Sequence, residues 1–318
     1  MQTTLLKRLA VLIHAHSKGL GFLPSPVPGV VLMHMDRHLP SAPTVYDPCI
    51  VIVAQGYKVG SFNGRRYVYD AHNCLTLTLP LPFETETFGS AEEPFLGLAI
   101  SITPAMVAAL LIQMDFESRN EDITDAIASV PMDDDLLSAA VRLVESMEIA
   151  ERARILGPDI VRELIYFLLR GPYGTTLRSF AVGSNWFGRV AKVIQRLQSN
   201  FDENHEVAAL AQEAGMGLTA FHAHFKAATG ETPLQYLKLI RLHKARELMV
   251  NEGLRAQTAA IRVGYESASQ FGREFKRLFG GSPALVTTRL RHQLDEARET
   301  HLRATLSFEQ LNVQEPSI

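Results

Sequence analysis

Two short segments in the last third of the sequence carry polar side chains at spacings that suit contact with a nucleic acid. At about 100° per residue of a helix, each segment presents these groups along one face. The outward-facing residues are Thr219, His222 and Lys226, with the apolar Ala223 among them, in the first segment and Ser269, Gln270, Arg273 and Lys276 in the second. Hydroxyl, amide and guanidinium groups hydrogen-bond to the base edges in a major groove, and lysine binds phosphate oxygens. The alternative is an ordinary solvated helix face.

A repeat indicates the helices that must position these groups. Shifting the sequence by fifty residues superimposes Phe221, Phe225, Lys226, Gly230 and Pro233 on Phe271, Phe275, Lys276, Gly280 and Pro283. Phenylalanines four residues apart share one helix face, so each pair should point into a small core. A short apolar run that ends at Gly215 or Gly264 precedes each segment. Two helices joined by a tight glycine turn are typical of a helix-turn-helix, and this chain carries the unit twice.

A long helix is predicted between the two units. Thr232 suits its N-cap and Pro233 its first turn, and no helix breaker follows before Val250. A helix of about 18 residues is about 27 Å long. It would hold two reading helices roughly one duplex turn apart, where adjacent major grooves face the same side.

The charge distribution favours a nucleic-acid partner over a solvated face. Between Leu218 and Arg291 the sequence has 12 Lys and Arg against 5 Glu, a difference of +7 in a chain whose total is −3. The remainder of the chain therefore carries −10. A basic module on an acidic chain is the electrostatic footprint of a nucleic-acid-binding protein.

Residues 193–291 resemble the DNA-binding domain of the AraC/XylS transcription regulators. The matching motifs are Ala214-Gly-Met216, Phe221-His-x-His-Phe-Lys226, Thr229-Gly-x-Thr-Pro-Leu-Gln-Tyr236, Arg241-Leu-x-x-Ala-Arg246, Val263-Gly-Tyr-Glu-Ser-x-Ser-Gln-Phe-x-Arg-Glu-Phe-Lys276 and Phe279-Gly-x-x-Pro283. The resemblance implies base contacts at Thr219, His222, Ala223, Ala268, Ser269, Gln270 and Arg273. Members commonly carry Arg at the position of Ala223. The first unit is therefore expected to read sequence less sharply, leaving Arg273 as the better base reader.

The first half of the sequence is expected to form a β-barrel. Short apolar runs separated by turn residues fill residues 29–102, a pattern typical of strands. The predicted strands begin at Val30, Cys49, Tyr57, Arg66, Cys74 and Phe95. Asn63-Gly64 lies between two of them and is a strong hairpin signal. Strands of this kind close into a sandwich or a small barrel, whose mouth is a frequent site for a small ligand.

Residues 30–111 resemble the N-terminal domain of one branch of the AraC/XylS regulators. The matching motifs are Tyr46-x-Pro48, Val53-x-Gln-Gly-x-Lys58, Tyr67-x-Tyr-Asp70, Leu79-Pro-Leu-Pro82 and Glu93-Pro-Phe-Leu-Gly-Leu98. The resemblance implies a cupin-like barrel that senses a ligand or mediates oligomerisation. It implies no particular effector, because the branch shares none.

Residues that could bind a metal or perform catalysis are few. His34 and His38 would share a strand face, but His72 stands alone, and a metal site needs three or four convergent ligands. The chain also has no nucleophile elbow, phosphate-binding glycine loop or CxxC pair, so we expect no cofactor and no catalytic residue. Cys49 and Cys74 lie in strand patterns and are expected to be buried apolar residues in a reducing compartment. A sensing thiol at Cys49 is the alternative.

Helices are predicted on both sides of the strands. Residues 1–22 lack a signal-peptide cleavage site, and Leu5, Leu9, Leu12, Ile13 and His16 share one helix stripe. A packed N-terminal helix is therefore expected, and the protein is expected to be cytoplasmic with no membrane partner. Further helices are expected from Thr103, over residues 133–151, and from Gly157-Pro158. The helix expected from Gly157-Pro158 has apolar residues around most of its circumference, which indicates deep packing or contact with a partner chain. The family resemblance implies dimerisation there.

The predicted fold is α+β, with a cupin-like β-barrel and packed helices in residues 1–175, a linker over residues 176–184 and a double helix-turn-helix domain over residues 185–292. A frayed tail of residues 293–318 is expected to follow. The predicted function is a sequence-specific DNA-binding regulator of transcription, homodimeric, with promoter or operator DNA and RNA polymerase as partners and a small effector of unknown identity. The alternatives are a metal-dependent cupin enzyme fused to a DNA-binding domain and a regulator without a small effector.

Overall fold

The computed structural model describes residues 1–114, 126–182 and 185–292. We call residues 1–182 the N-terminal half and residues 185–292 the C-terminal half. The helices of the N-terminal half are α1 Gln2–His16, α2 Pro104–Gln113, α3 Asp134–Ser146, α4 Ala150–Arg170 and α5 Gly174–Val182. Its strands are β1 Gly21–Pro24, β2 Val30–Met35, β3 Leu39–Tyr46, β4 Cys49–Gln55, β5 Tyr57–Phe62, β6 Arg65–Asp70, β7 Asn73–Leu77, β8 Leu81–Phe88, β9 Phe95–Ser101 and β10 Ile127–Pro131.

The C-terminal half is helical. Its helices are α6 Trp186–Ser199, α7 Val207–Glu213, α8 Leu218–Thr229, α9 Pro233–Asn251, α10 Ala256–Arg262 and α11 Ala268–Phe279. The chain is helical again from residue 283 to residue 292. Within the described ranges, no helix is both long and apolar enough to cross a membrane.

The strands form one antiparallel sheet in the order β1-β2-β9-β4-β7-β6-β5-β8-β3, with β10 paired to β7. The sheet is an open half-barrel with β1 at one edge and β3 at the other. A two-residue turn joins β5 to β6, with Asn63 at φ +51° and Gly64 at φ +75°. The α+β fold class and this hairpin are as the sequence predicts.

Strands β3 and β8 were missed by the sequence pattern because both contain proline. Pro40 and Pro43 lie in β3, and Pro82 lies in β8. Proline cannot donate to a sheet ladder, so its presence argues against a central strand. Here β3 is an edge strand that pairs only with β8 among the described strands, so one side of its backbone needs no partner.

The predicted helix over residues 133–151 and the predicted start of the next helix at Gly157-Pro158 are both wrong. Helix α3 ends at Ser146, and α4 begins at Ala150 and continues through Pro158. A proline ring clashes with the Cβ of the residue before it, and Gly157 has none. Gly157 also lies against Val27, whose side chain would collide with a Cβ at that position. The helix therefore passes through both residues while packing closely on the segment between β1 and β2.

The apolar face of α4 packs within the chain. Val161, Leu164, Ile165, Leu168 and Leu169 are buried in the main hydrophobic core. This core continues from the sheet through α6 and α8 to Tyr236 in α9, whereas the second helix-turn-helix unit has a core of its own. The first unit is thus packed as part of the N-terminal half.

Most of the predicted linker is helical, because α5 continues to Val182 and packs against α2, α4 and α6. Gly183, Ser184 and the predicted tail of residues 293–318 lie outside the described residues. The domain boundaries stay predictions.

Candidate DNA interface

Each helix-turn-helix unit turns at a glycine in the left-handed region of backbone conformation. Gly215 has φ +62° between α7 and α8, and Gly264 has φ +82° between α10 and α11. Glycine adopts this conformation without steric cost. At Gly264 there is a second constraint, since a Cβ there would collide with the carbonyl oxygen of Asp202. The turns therefore depend on glycine.

Paired phenylalanines anchor α8 and α11. The rings of Phe221 and Phe225 lie 5.5 Å apart, and those of Phe271 and Phe275 lie 5.4 Å apart. All four are buried. The inclined ring contacts add to the stabilisation from apolar burial. Because these rings face inward, the opposite face of each helix is left to solvent.

The residues predicted from the sequence to contact DNA lie on these outer faces. Those that are exposed are Thr219, Ala223, Lys226, Ala268, Ser269, Arg273 and Lys276, and those that are half-buried are His222 and Gln270. Exposure is necessary for contact with a base or a phosphate. The individual DNA contacts stay predictions.

His224 has a different role from His222. Its ring stacks on Trp186, with 4.6 Å between ring centroids and an interplanar angle of 19°. Trp186 is the first residue of α6, so the stack joins α6 to the first recognition helix. His222, which is half-buried, is the histidine of α8 that borders the exposed face of that helix.

A hydrogen-bond network around Glu274 supports the second recognition helix. Glu274 accepts hydrogen bonds from the Tyr265 hydroxyl at 2.7 Å, the Gln270 amide at 3.1 Å and the Lys238 ammonium at 3.2 Å. Burial acts to raise the pKa of Glu274, but these three donors outweigh it and lower that pKa below its usual value. The network holds the amide of Gln270 against Glu274. No local sequence pattern predicts this network, because Lys238 lies 36 positions from Glu274.

Arg241 connects the two helix-turn-helix units. From α9 it donates to the carbonyl oxygens of Phe201 at 2.6 Å, Glu203 at 2.8 Å and Gly264 at 3.0 Å. Two of these acceptors precede α7, and the third lies in the turn of the second unit. One guanidinium therefore ties both units to α9. Arg241 belongs to a family motif recognised above, but the motif alone gave it no role.

Helix α9 also joins the recognition helices to the half-barrel. The Tyr236 hydroxyl donates to the carbonyl oxygen of Pro80 at 2.9 Å, and Arg246 Nη1 donates to that of Pro43 at 3.1 Å. Both acceptors lie in or beside the proline-containing strands β3 and β8. The position of α9 is thus set by the strands that the sequence pattern missed.

The end of α11 packs on α9 through Phe279. Its ring lies 4.7 Å from the Arg246 guanidinium carbon and 5.1 Å from the ring of His243. Burial, reinforced by the charges of Arg246 and Lys244, lowers the pKa of His243 to about 3. The imidazole is therefore neutral at pH 7 and acts as an apolar packing group.

The described residues contain no group of three or more His, Cys, Asp or Glu side chains arranged to hold a metal ion. The His34 ring lies 5.0 Å from that of His14, and His38 bonds to Glu86 at 2.8 Å. Cys49 and Cys74 are buried, and burial raises the pKa of each thiol to about 12. This environment disfavours the thiolate that a sensing role at Cys49 requires.

Two family profiles match the chain. One, described as the AraC-type transcriptional regulator N-terminus, matches residues 26–176, which contain β2 to β10 and α2 to α4. The other, described as a helix-turn-helix domain, matches residues 210–289, which contain α8 to α11.

The known proteins that resemble the chain are transcription regulators. It is 28% identical over 151 residues to the HTH-type transcriptional activator RhaS of Escherichia coli, a match that covers 46% of this chain and 53% of RhaS. The chain thus spans about half the length of the curated relatives it matches.

Solved structures show the same fold over a longer stretch. An apo variant of ToxT from Vibrio cholerae superimposes with a TM-score of 0.58 at 12% identity, over 83% of this chain and 99% of that one. Wild-type ToxT from the same organism, with an unsaturated fatty acid bound, superimposes with a TM-score of 0.56 at 13% identity. The match covers 80% of this chain and 92% of the ToxT chain. The profiles and the fold agree, and the chain belongs to the AraC family of transcriptional regulators.

Proposed function

We propose that this protein regulates transcription by binding a specific DNA duplex with two recognition helices at once. The observation that carries the proposal is that α8 and α11, both with a buried phenylalanine face and an exposed polar face, are attached to one continuous helix. Helix α9 has 19 residues, which corresponds to about 28 Å. That length suits helices that enter successive major grooves from one side of the duplex.

The exposed residues divide by chemistry into base readers and phosphate binders. Arg273 is the main base reader, because a guanidinium can make two hydrogen bonds to one guanine. Thr219, His222, Ser269 and Gln270 add weaker polar contacts. Ala223 and Ala268 can offer only apolar contact, as to a thymine methyl group. Lys226 and Lys276 bind phosphate and supply affinity without sequence preference.

Selection from randomised duplexes with the purified full chain tests this proposal. The expected result is an enriched, asymmetric motif of two blocks about one helical turn apart. Arg273→Ala should remove the preference at one base pair in one block and leave the other block intact. Absence of any enriched motif, or a single short block, would contradict two-helix reading. Footprinting across the genome would then locate the regulated genes and show whether RNA polymerase binds beside the site.

We also propose that the N-terminal half forms the homodimer, through the start of α4. The apolar face of α4 that the sequence predicts packs within the chain. In the first half of this helix, however, Ile155 is 57% exposed and Leu156 is 47% exposed. Their substitution by Asp should convert a dimer to a monomer in sedimentation velocity. Ile112→Asp, at an exposed residue of α2, is the matched control. Equal behaviour of the control and test variants would place the interface elsewhere.

A small effector and a cytoplasmic location complete the proposal. The half-barrel resembles that of ToxT, whose structure contains an unsaturated fatty acid. Family membership weighs against the alternative of a cupin enzyme. The regulator without an effector remains the second candidate and is tested by the ligand experiment below.

A further inference from the structure

The half-barrel contains a lysine whose charge has no carboxylate partner in the described part of the chain. Lys58 is 2% exposed and lies on β5 between Tyr69 on β6 and Thr87 on β8. Its Nζ donates one hydrogen bond, to the Tyr46 hydroxyl at 3.3 Å. An ammonium has three donors, so two remain without a protein acceptor among the described residues. Buried charges are normally paired, since removing them from water is costly.

Aromatic rings surround this ammonium. Nζ lies 5.3 Å from the ring centroid of Phe22 and 5.4 Å from that of Phe95. The Tyr46 hydroxyl, which bonds to Lys58, also lies 3.4 Å from the Tyr69 hydroxyl. The site therefore combines one cation, two adjustable hydroxyl groups and apolar walls. These groups suit an anion that carries an apolar body.

One wall of the site is an exposed side chain. Phe22 covers the ammonium on one side, yet its own side chain is 61% exposed. It belongs to β1, a strand of four residues at the edge of the sheet, and it follows Gly21, which has φ +100°. Phe22 is therefore the side chain beside Lys58 that can move with little disturbance of the core.

We propose that Lys58 and Tyr46 bind the carboxylate of a small apolar organic acid that enters past Phe22 and packs against Phe22 and Phe95. The proposal names the class of effector and rests on the proposed role of the N-terminal half. The carboxylate accepts hydrogen bonds from the Lys58 ammonium and the Tyr46 hydroxyl. It thereby provides the charge that the protein does not.

This site adjoins the contacts that hold α9. Tyr46 ends β3, and Pro43, three residues earlier on that strand, accepts the hydrogen bond from Arg246. Tyr46 also pairs with Leu81, the residue after Pro80, which accepts the hydrogen bond from Tyr236. An acid that moves Tyr46 therefore acts on both strands that position α9. It alters DNA affinity only if it binds the two arrangements of the C-terminal half unequally.

Calorimetric titration of the purified full chain tests the acid site without DNA. The probes are hexanoate, octanoate, decanoate and benzoate, with 1-octanol and inorganic phosphate as controls. At least one carboxylate should bind once per chain, with both controls at least about tenfold weaker, because octanol lacks the charge and phosphate the apolar body. No binding by any carboxylate, or equal binding by octanol, would overturn the proposal.

Variants assign the binding to Lys58. Lys58→Met should weaken it at least about tenfold, Lys58→Arg should retain part of it, and Tyr46→Phe should weaken it about threefold to tenfold. Lys7→Met removes an exposed lysine from α1 and should change nothing. Circular dichroism checks that each variant folds. If Lys58→Met does not fold, the affinity of Tyr46→Phe for the carboxylate tests the assignment. Unchanged affinity in a folded Lys58→Met or Tyr46→Phe would refute the assignment.

The two proposals fail separately. Acid binding with no sequence preference for DNA would remove the proposed function and leave the acid site. Specific DNA binding with no binding of any acid would remove the acid site and leave the proposed function. It would favour a regulator without an effector.

Discussion

Arg246 Nη1 donates a hydrogen bond to the carbonyl oxygen of Pro43 at 3.1 Å, across 203 positions of sequence. The same guanidinium lies over the ring of Phe279, 4.7 Å from its centroid. One side chain on α9 therefore contacts the edge strand of the half-barrel and the last residue of α11. Through it, the second recognition helix is positioned relative to the N-terminal half.

Arg246→Ala should lower the free energy of unfolding by about 1–3 kcal/mol, because it removes both the hydrogen bond and the cation–π contact. Urea unfolding measures the loss. Arg246→Lys should be intermediate, since a lysine keeps the charge but lacks the planar fork. Arg289→Ala, at an exposed position, should stay within about 0.5 kcal/mol of the wild type. Equal losses for Arg246→Ala and Arg289→Ala would contradict the docking role.

Arg273→Ala should weaken binding to the selected site by about 1–3 kcal/mol and relax the preference at one base pair. Arg273→Lys is the matched control, because it keeps the charge and loses the bidentate geometry. It should therefore lose the base preference while retaining affinity for random duplexes. Fluorescence anisotropy with target and random duplexes separates these effects. If Arg273→Ala lowers both affinities equally, its role is phosphate contact.

Lys276→Ala should weaken binding to target and random duplexes alike, because phosphate contacts carry no sequence information. The slope of log affinity against log salt concentration should become shallower by about one unit. A salt titration of anisotropy-derived affinities measures this slope. A change confined to the target duplex would instead make Lys276 a base reader.

Gly264→Ala should destabilise the fold by about 1–3 kcal/mol, since alanine is strained at φ +82° and its Cβ would meet the carbonyl of Asp202. Gly272→Ala provides the contrast, because a Cβ on Gly272 within α11 meets no heavy atom within 4 Å. It should stabilise the helix by about 0.5–1 kcal/mol. Thermal unfolding compares the two. Destabilisation by both variants to the same extent would show that the turn is not the cause.

His243 should make stability fall as the pH falls from about 6.5 towards about 3. Its pKa is about 3 in the folded chain and near the usual value of about 6.5 in the unfolded chain. Between these values the unfolded state binds a proton that the folded state does not, so acid favours unfolding by up to about 1.4 kcal/mol per pH unit. Urea unfolding of wild type and His243→Gln across this range isolates the contribution, which the variant should lack. His72→Gln, at an exposed position, should keep it.

Much of the C-terminal half could be predicted from sequence because its signals are local. The pairs Phe221–Phe225 and Phe271–Phe275 define one face of a helix within a single turn, and Gly215 and Gly264 mark conformations that other residues avoid. The uninterrupted run after Pro233 predicts α9 for the same reason. The pattern of inward phenylalanines also determines which polar residues are left on the exposed faces.

The tertiary structure decided the relationships that join distant parts of the chain. The proline-containing β3 is a strand because it occupies a sheet edge, and Gly157, which lets α4 continue through Pro158, lies against Val27, 130 positions earlier in the sequence. The placement of α9 by Pro43 and Pro80, the Glu274 network and the burial of Lys58 likewise depend on partners far away in sequence. Helical periodicity and glycine conformation act within a few residues, whereas these contacts appear only once the chain has packed.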